Sequence, residues 1–217
     1  KIKRIIKIKR IIKIKRIIYM FFIFHWLFKH DSYIDYMKSQ IEPNDYYVCD
    51  SLDKHNNSYI YGEIIPESFY PILKEYEIEN KTFIDIGSGC GRMLFYLNDT
   101  CCEMKLYGVE IDTNRYSTSL IMQDSRINNN LISGTYDVCF ENKDFIDIYF
   151  GNYDLLYCCN TVFEYEENNM LYKKLVNEFQ GVCFLFNYDD KLKNNFHKKY
   201  TVNTSWQQNV PLYSFIF

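Results

Sequence analysis

From Thr82 onward, short apolar runs alternate with stretches of helical period. Phe83, Ile84 and Ile86 form the first run, of the kind shown by a strand buried on both faces. The run breaks into Gly87, Ser88, Gly89, Cys90 and Gly91, and a helix is predicted to restart from Arg92 to Leu97. The alternation continues with a strand near 106–111, a helix over 113–128 and a strand near 135–140. A strand over 153–159, a helix over 164–179 and a strand over 182–187 follow, and two closing strands are expected near 200–202 and 212–217. Upstream, the pattern predicts a helix from Pro66 to about Ile78 and a short one around Ile34 to Ile41. Strands alternating with helices predict an α/β fold with a doubly wound, mainly parallel sheet, to which the closing pair adds an antiparallel edge.

The beginning of the chain does not fit that pattern. Residues 1–18 are three copies of K-I-K-R-I-I, and a six-residue period never brings the isoleucines onto one helix face. This segment holds nine of the 25 basic residues, leaving 16 against 28 acidic ones, a formal charge of −12 on the rest. A basic tail on an acidic body can tether to a polyanion. The alternative is a translated simple repeat upstream of a start at Met20, and we favour it. Residues 17–28 are apolar apart from His25 but lack a small-residue cleavage site and are short for a bilayer, so neither secretion nor a membrane anchor is expected. The expected division is therefore a low-complexity repeat at 1–18, a helical and loop segment at 19–60, and one catalytic domain at 61–217.

Composition changes the picture in two places. The chain has no alanine, and its 21 tyrosines and 17 phenylalanines accompany abundant Ile, Lys and Asn, the residues of A/T-rich codons. The aromatics are therefore not read as base-stacking platforms. Eight cysteines occur without a C-x-x-C pair or a histidine at metal spacing, so no metal is expected, and free thiols are the simpler account.

The candidate chemistry lies at Asp85 to Arg92. A strand that ends in glycines and restarts as a helix lets a ligand approach bare backbone. The dinucleotide fingerprint needs a third glycine where Arg92 stands. The spacing is D-x-G-x-G-x-G, the pattern of nucleoside cofactors without a pyrophosphate, above all S-adenosylmethionine. Glu110 follows 19 residues after Gly91, at the end of the second strand, where a carboxylate can accept both ribose hydroxyls. A ligand-free glycine turn and a solvated strand-end glutamate are the alternatives.

Tyr61-Gly62-Glu63, D-I-G-S-G-C-G at 85–91, Y-G-V-E at 107–110, Lys143-Asp144-Phe145 and C-N-T-V-F at 159–163 occur in that order. Over Tyr61 to Phe217 the chain resembles the DOT-like (disruptor of telomeric silencing) family of class I, non-SET histone-lysine methyltransferases. T-S-W near Trp206, with the strand after it, resembles that family's closing hairpin. The resemblance implies a seven-stranded, Rossmann-like sheet with an antiparallel C-terminal strand, S-adenosyl-L-methionine as cofactor, and a nucleosome core lysine as substrate. It also implies roles. Asp85 would orient the methionine amino group, and Gly87, Ser88, Gly89 and Gly91 would admit the cofactor. Glu110 would hold the ribose, Asp144 and Phe145 the adenine, and Tyr61 and Glu63 would close over the methionine end. Asn160 and Phe163 would be the catalytic pair lining the lysine channel. Simple core packing for the phenylalanines and a strand-end cap for Asn160 are the alternatives.

Arg92 departs from the family's usual glutamine, and G-S-G-x-G-R also occurs in other protein-lysine methyltransferases. The family's lysine-rich nucleosome-binding segment has no counterpart here beyond the repeat and Lys191, Lys193, Lys198 and Lys199. The expected partner is a basic protein, in the family's case a histone, with nucleic acid touched only indirectly or through the basic tail. The expected location is the nucleus if the substrate is a histone, and otherwise the cytoplasm. A non-histone lysine, RNA, a small molecule, or a cofactor-binding protein without catalysis are the competing readings.

Overall fold

The computed structural model describes residues 62–100, 104–128 and 137–217. The repeat, the 19–60 segment with its expected short helix, and Tyr61 lie outside the described residues. The elements are α1 (Pro66–Leu73), β1 (Thr82–Ile86), α2 (Arg92–Thr100), β2 (Lys105–Glu110), α3 (Thr113–Asn128), β3 (Val138–Asn142), β4 (Leu155–Cys158), α4 (Tyr165–Glu178), β5 (Val182–Leu185), β6 (Phe196–Val202) and β7 (Val210–Ile216). Short 3-10 helices at Phe145–Asp147, Phe150–Asn152 and Asp190–Asn195 complete the described residues.

The seven strands form one sheet in the order β3-β2-β1-β4-β5-β7-β6. β1 pairs in parallel with β2 and β4, β2 with β3, and β4 with β5. β7 runs antiparallel between β5 and β6. The order reverses between β1 and β2 on one side and β4 on the other, so the carboxyl ends of β1, β2 and β4 open onto the switch point where ligands of such sheets bind.

Both faces are covered. On one, Ile84, Ile86, Val109, Leu156, Cys158, Leu185 and Phe215 pack against Leu171, Tyr172 and Leu175 of α4. On the other, Phe69 of α1 meets Tyr157 and Phe184 at ring-centroid distances of 5.2 and 5.1 Å. Double burial explains why β1 and β4 read as continuous apolar runs.

Among the boundaries that differ from the expected ones, three have a visible cause. α1 stops at Leu73, where a tight turn from Ile72 and Leu73 to Glu75 and Tyr76 takes over. That turn lets the Tyr76 hydroxyl reach Tyr200 (2.9 Å) and Ser214 (3.0 Å) on the closing hairpin. β3 extends to Asn142 because Glu141 and Asn142 pair with Val109 and Glu110. β6 begins at Phe196, four residues early, because an edge strand with Phe196 to Lys199 all exposed carries no alternation to reveal it. Cys139, Cys158, Cys159 and Cys183 carry free thiols. Cys90 is disulfide-bonded, which corrects the expectation of free thiols throughout.

Gly108 of β2 lies beside Asp85 in the sheet. A Cβ there would stand 2.6 Å from Phe140, 2.7 Å from Ser88 Oγ and 2.8 Å from Leu94. Its missing side chain is what lets the glycine loop and α2 settle onto β2. Gly108→Val is therefore expected to cost about 1–3 kcal/mol of stability through overpacking, measured by chemical denaturation.

Candidate active site

The glycine loop folds by binding its own sheet. Gly87, Gly89 and Gly91 adopt φ values of 76°, 56° and 79°, a region that only glycine enters without strain. The Gly87 and Ser88 N–H groups donate to Val109 O at 2.8 and 3.0 Å. The Gly89 N–H donates to Glu110 Oε2 at 2.8 Å. The loop's donors are therefore used internally and do not converge on an anion. What the loop offers a ligand is room: nothing lies within 4 Å of where a Gly87 Cβ would be.

Glu110 is 4% exposed and accepts on both oxygens, from Gly89 and, through Oε1, from the Asp112 N–H at 2.9 Å. Burial lifts its carboxyl above the ordinary value, opposed by those two N–H groups and by Arg115. Each oxygen keeps a lone pair, and Glu110 lines the cavity above it.

That cavity, of about 460 Å³, runs across the strand ends. Ile86, Gly87 and Val109 form its floor, and Lys143, Asp144, Phe145 and Ile146 close one end. Asp144 caps the turn it begins, accepting from the Ile146 N–H at 3.0 Å. Phe145 stacks on Phe163, with ring centroids 5.7 Å apart and planes 17° apart, giving one wall a flat aromatic surface. Gly62 and Trp206 close the other end, where the indole stands only 2.6 Å from the position a Gly62 Cβ would take. The two segments are tied by backbone: Ser205 N donates to Glu63 O at 2.7 Å and Ile65 N to Asn203 O at 2.8 Å.

Several expected residues take other roles. The Ser88 hydroxyl turns toward Gly108, so this residue serves the loop through its backbone. Glu63 pairs with Arg92, which is 3% exposed at the start of α2. The guanidinium beside the positive end of a helix is thereby offset, and the departure at Arg92 has a local explanation. Asp85 is 3% exposed, and its Oδ1 has no hydrogen-bond partner among the described residues. Burial pushes its carboxyl well above the usual range, and Glu110 and Glu63 push it further.

Asn160 stands apart from the cavity, in the place of the alternative strand-end cap. The expectation put it in the cavity wall, but it is fully buried and its carboxamide is saturated elsewhere. Its Nδ2 donates to Asn168 Oδ1 (2.6 Å) and Asn187 O (2.9 Å), and its Oδ1 accepts from the Phe186 and Asn187 N–H groups, both at 3.0 Å. It fastens the end of β4 to the end of β5. The neighbouring side chains that line the cavity are Cys159, Thr161, Val162 and Phe163. Cys159 was inside the quoted C-N-T-V-F stretch, and alternation along the strand end puts it on the face of Tyr157, opposite Asn160. Met170 of α4 and Arg115 of α3 also line the cavity and carried no recognisable signal.

These residues fit S-adenosylmethionine: an open glycine floor, a strand-end carboxylate with free lone pairs, an aromatic wall, and an unsatisfied buried carboxyl toward the lid. Among the described residues no group of three His, Cys, Asp or Glu side chains could hold a metal ion, and no helix is long and apolar enough to cross a membrane.

Two outcomes follow from the buried polar groups. A carboxyl whose value is raised by folding stabilises the fold only while protonated, so stability falls as pH rises above the ordinary value of 3.8. Asp85→Asn is expected to melt higher than the wild type at pH 7, with the gap closing as pH falls toward 4 in thermal melts across that range. Asn160→Ala leaves the Phe186 and Asn187 N–H groups buried without acceptors, and a loss of about 2–4 kcal/mol is expected on denaturation.

Three solved structures are similar to this chain. An RNA methyltransferase from Salinibacter ruber, in complex with S-adenosyl-L-homocysteine, is 13% identical with a TM-score of 0.51, over 68% of this chain and 88% of that one. A SAM-dependent methyltransferase from Aquifex aeolicus is 13% identical with a TM-score of 0.49, over 79% and 96% of the two chains. PKMT2 from Rickettsia typhi is 17% identical with a TM-score of 0.46, over 57% of this chain and 26% of that one. The strand order and the first of these likenesses show a class I methyltransferase fold. No curated protein matches the sequence significantly. The family described as "Histone methylation protein DOT1" matches residues 50–210, about three quarters of the chain, and the chain belongs to that family.

Proposed function

We propose that this protein is an S-adenosylmethionine-dependent protein-lysine methyltransferase whose substrate is a histone lysine presented on a nucleosome. The observation that carries the cofactor half is the Glu110 carboxylate, fixed by Gly89 and Asp112 at the mouth of a glycine-floored cavity. The family match carries the histone half. A phosphate-bearing dinucleotide would call on the loop's N–H groups, and these are already used on Val109 and Glu110.

When bound, the cofactor supplies an electrophilic methyl group on a sulfonium. The chain's own work is then to bind, orient and dry the reactants. Glu110 accepts from the ribose hydroxyls, Phe145 lies against the adenine with Asp144 beside it, and Gly87 leaves room for the ligand's backbone. In-line transfer needs a neutral amine close to the methyl group. A lysine has an ordinary pKa of about 10.4, and apolar surroundings favour its uncharged form. Phe163, Val162 and Met170 supply such surroundings along the cavity, and Trp206 covers its end.

Charge supports a basic substrate, since the chain outside the repeat carries a formal −12. The exposed Lys191, Lys193 and Lys199 gather on the last 3-10 turn and β6, at one edge of the sheet, where they suit contact with an acidic surface of the nucleosome. A nuclear location accompanies this reading.

Calorimetry should show S-adenosylhomocysteine binding to the wild type, no binding of nicotinamide dinucleotides, and a loss of about 1–3 kcal/mol in Glu110→Ala. With labelled cofactor, mass spectrometry should find methyl groups on a histone lysine in nucleosomes. Phe163→Ala should lower turnover more than cofactor affinity. Methyl groups found only on RNA or a small molecule would end the lysine reading. Wild-type cofactor affinity in Glu110→Ala would end the site assignment.

A further inference from the structure

Cys90 sits in the middle of the glycine loop and is fully buried. It is disulfide-bonded, whereas Cys139, Cys158, Cys159 and Cys183 carry free thiols. Of the eight cysteines in the chain, that leaves Cys49, Cys101 and Cys102 as candidate partners. A disulfide requires Cα atoms within about 7 Å of each other.

The topology of the sheet decides among the three. Cys90 follows the carboxyl end of β1, and its loop is held there by Val109 and Glu110 at the carboxyl end of β2. From the loop, α2 runs back toward the amino end of the sheet, and nine helical residues rise about 12 Å. Cys101 is the next residue after α2, and Cys102 stands three residues before the start of β2. Chain connectivity therefore keeps both near the amino ends of the strands, where Thr82 of β1 pairs with Lys105 of β2. The loop lies beyond the opposite end of β1, about 13 Å away along a five-residue strand. Neither Cys101 nor Cys102 meets the distance a disulfide needs.

Cys49 remains, and connectivity does not exclude it. Twelve residues, 50–61, separate it from Gly62, which lines the cavity. A stretch of that length can reach about 40 Å. The upstream chain also returns to the start of α2 independently, because Glu63 pairs there with Arg92, two residues after Cys90. A bond from Cys49 to Cys90 would tie the same upstream stretch to the same place a second time.

We propose that Cys49 and Cys90 form a disulfide that fastens the chain ahead of Gly62 to the glycine loop, a thiol-responsive tie on the cofactor site. The bond forms when the two thiols give up two protons and two electrons to a low-molecular-weight disulfide of the glutathione class, which departs as two thiols. Where the surroundings keep thiols reduced, such a bond is transient and reports the redox poise. The linked state fixes the chain beside the cavity before the ligand arrives, so it binds the ligand more tightly. That effect rests on the cofactor reading of the preceding section, whereas the bond itself does not.

The test begins with the bond. The full chain is equilibrated with oxidised glutathione, alkylated under denaturing conditions and digested without reductant. Mass spectrometry should find the Cys49 peptide joined to the Cys90 peptide, and dithiothreitol should separate them. Cys90 joined to Cys101 or Cys102, or recovered fully alkylated, overturns the inference. Calorimetry with S-adenosylhomocysteine then reads the effect. Cys49→Ser should bind about tenfold more weakly than the oxidised wild type, the scale of lost preorganisation, and should match the wild type reduced with dithiothreitol. The double variant Cys101→Ser, Cys102→Ser should bind as the oxidised wild type does. Equal affinity of the oxidised and reduced wild type overturns the tie's role at the site. A wild type that binds no S-adenosylhomocysteine in either state, with the joined peptides present, brings down the cofactor reading and leaves the bond standing.

Discussion

The Glu110 carboxylate is the interaction on which the site depends. One oxygen holds the Gly89 N–H and the other the Asp112 N–H, so a single side chain fixes both the glycine loop after β1 and the turn that begins α3. Val109 O completes the clamp by accepting from Gly87 and Ser88. Because β2 supplies all these acceptors, the loop's geometry is set by its neighbour in the sheet as much as by its own glycines. Gly108, lying against Ser88, Phe140 and Leu94, is the further condition that lets the two approach. The consequence is chemical: a loop whose donors are spent cannot cradle a phosphate and instead leaves open space for a ligand's backbone.

A second constraint is the handling of buried charge. Arg92 and Glu63 neutralise each other where α2 begins, tying the segment before α1 to the first turn after the glycine loop. Glu63 is itself held by Ser205, whose N–H donates to its carbonyl and whose Oγ accepts from its N–H at 3.0 Å. Trp206 thereby reaches Gly62 and closes a cavity whose floor is laid down about a hundred residues earlier. Asp85, buried beneath the glycine loop, keeps its Oδ1 without a hydrogen-bond partner among the described residues. The same fold satisfies the buried Asn160 carboxamide with two acceptances and two donations.

The sequence by itself determined the order of elements and pointed to the cofactor. Double burial makes β1 and β4 continuous apolar runs, and the spacing of Asp85, the glycines and Glu110 is a local pattern that survives any detail of packing. Glu110, Asp144, Phe145 and Phe163 line one cavity, the last three having been named by the family resemblance and not by that spacing. Only the tertiary structure decided the rest. Whether Asn160 or Cys159 faces the cavity depends on where β4 ends and on which backbone N–H groups of β5 need an acceptor, and neither is written near Asn160. The partner of Arg92 lies 29 residues earlier, and that of Glu63's backbone 142 residues later. β6 hid its first four residues because an edge strand has no buried side to impose a period. Periodicity records how a segment meets water, and these contacts are choices among partners, which the sheet makes only once it has formed.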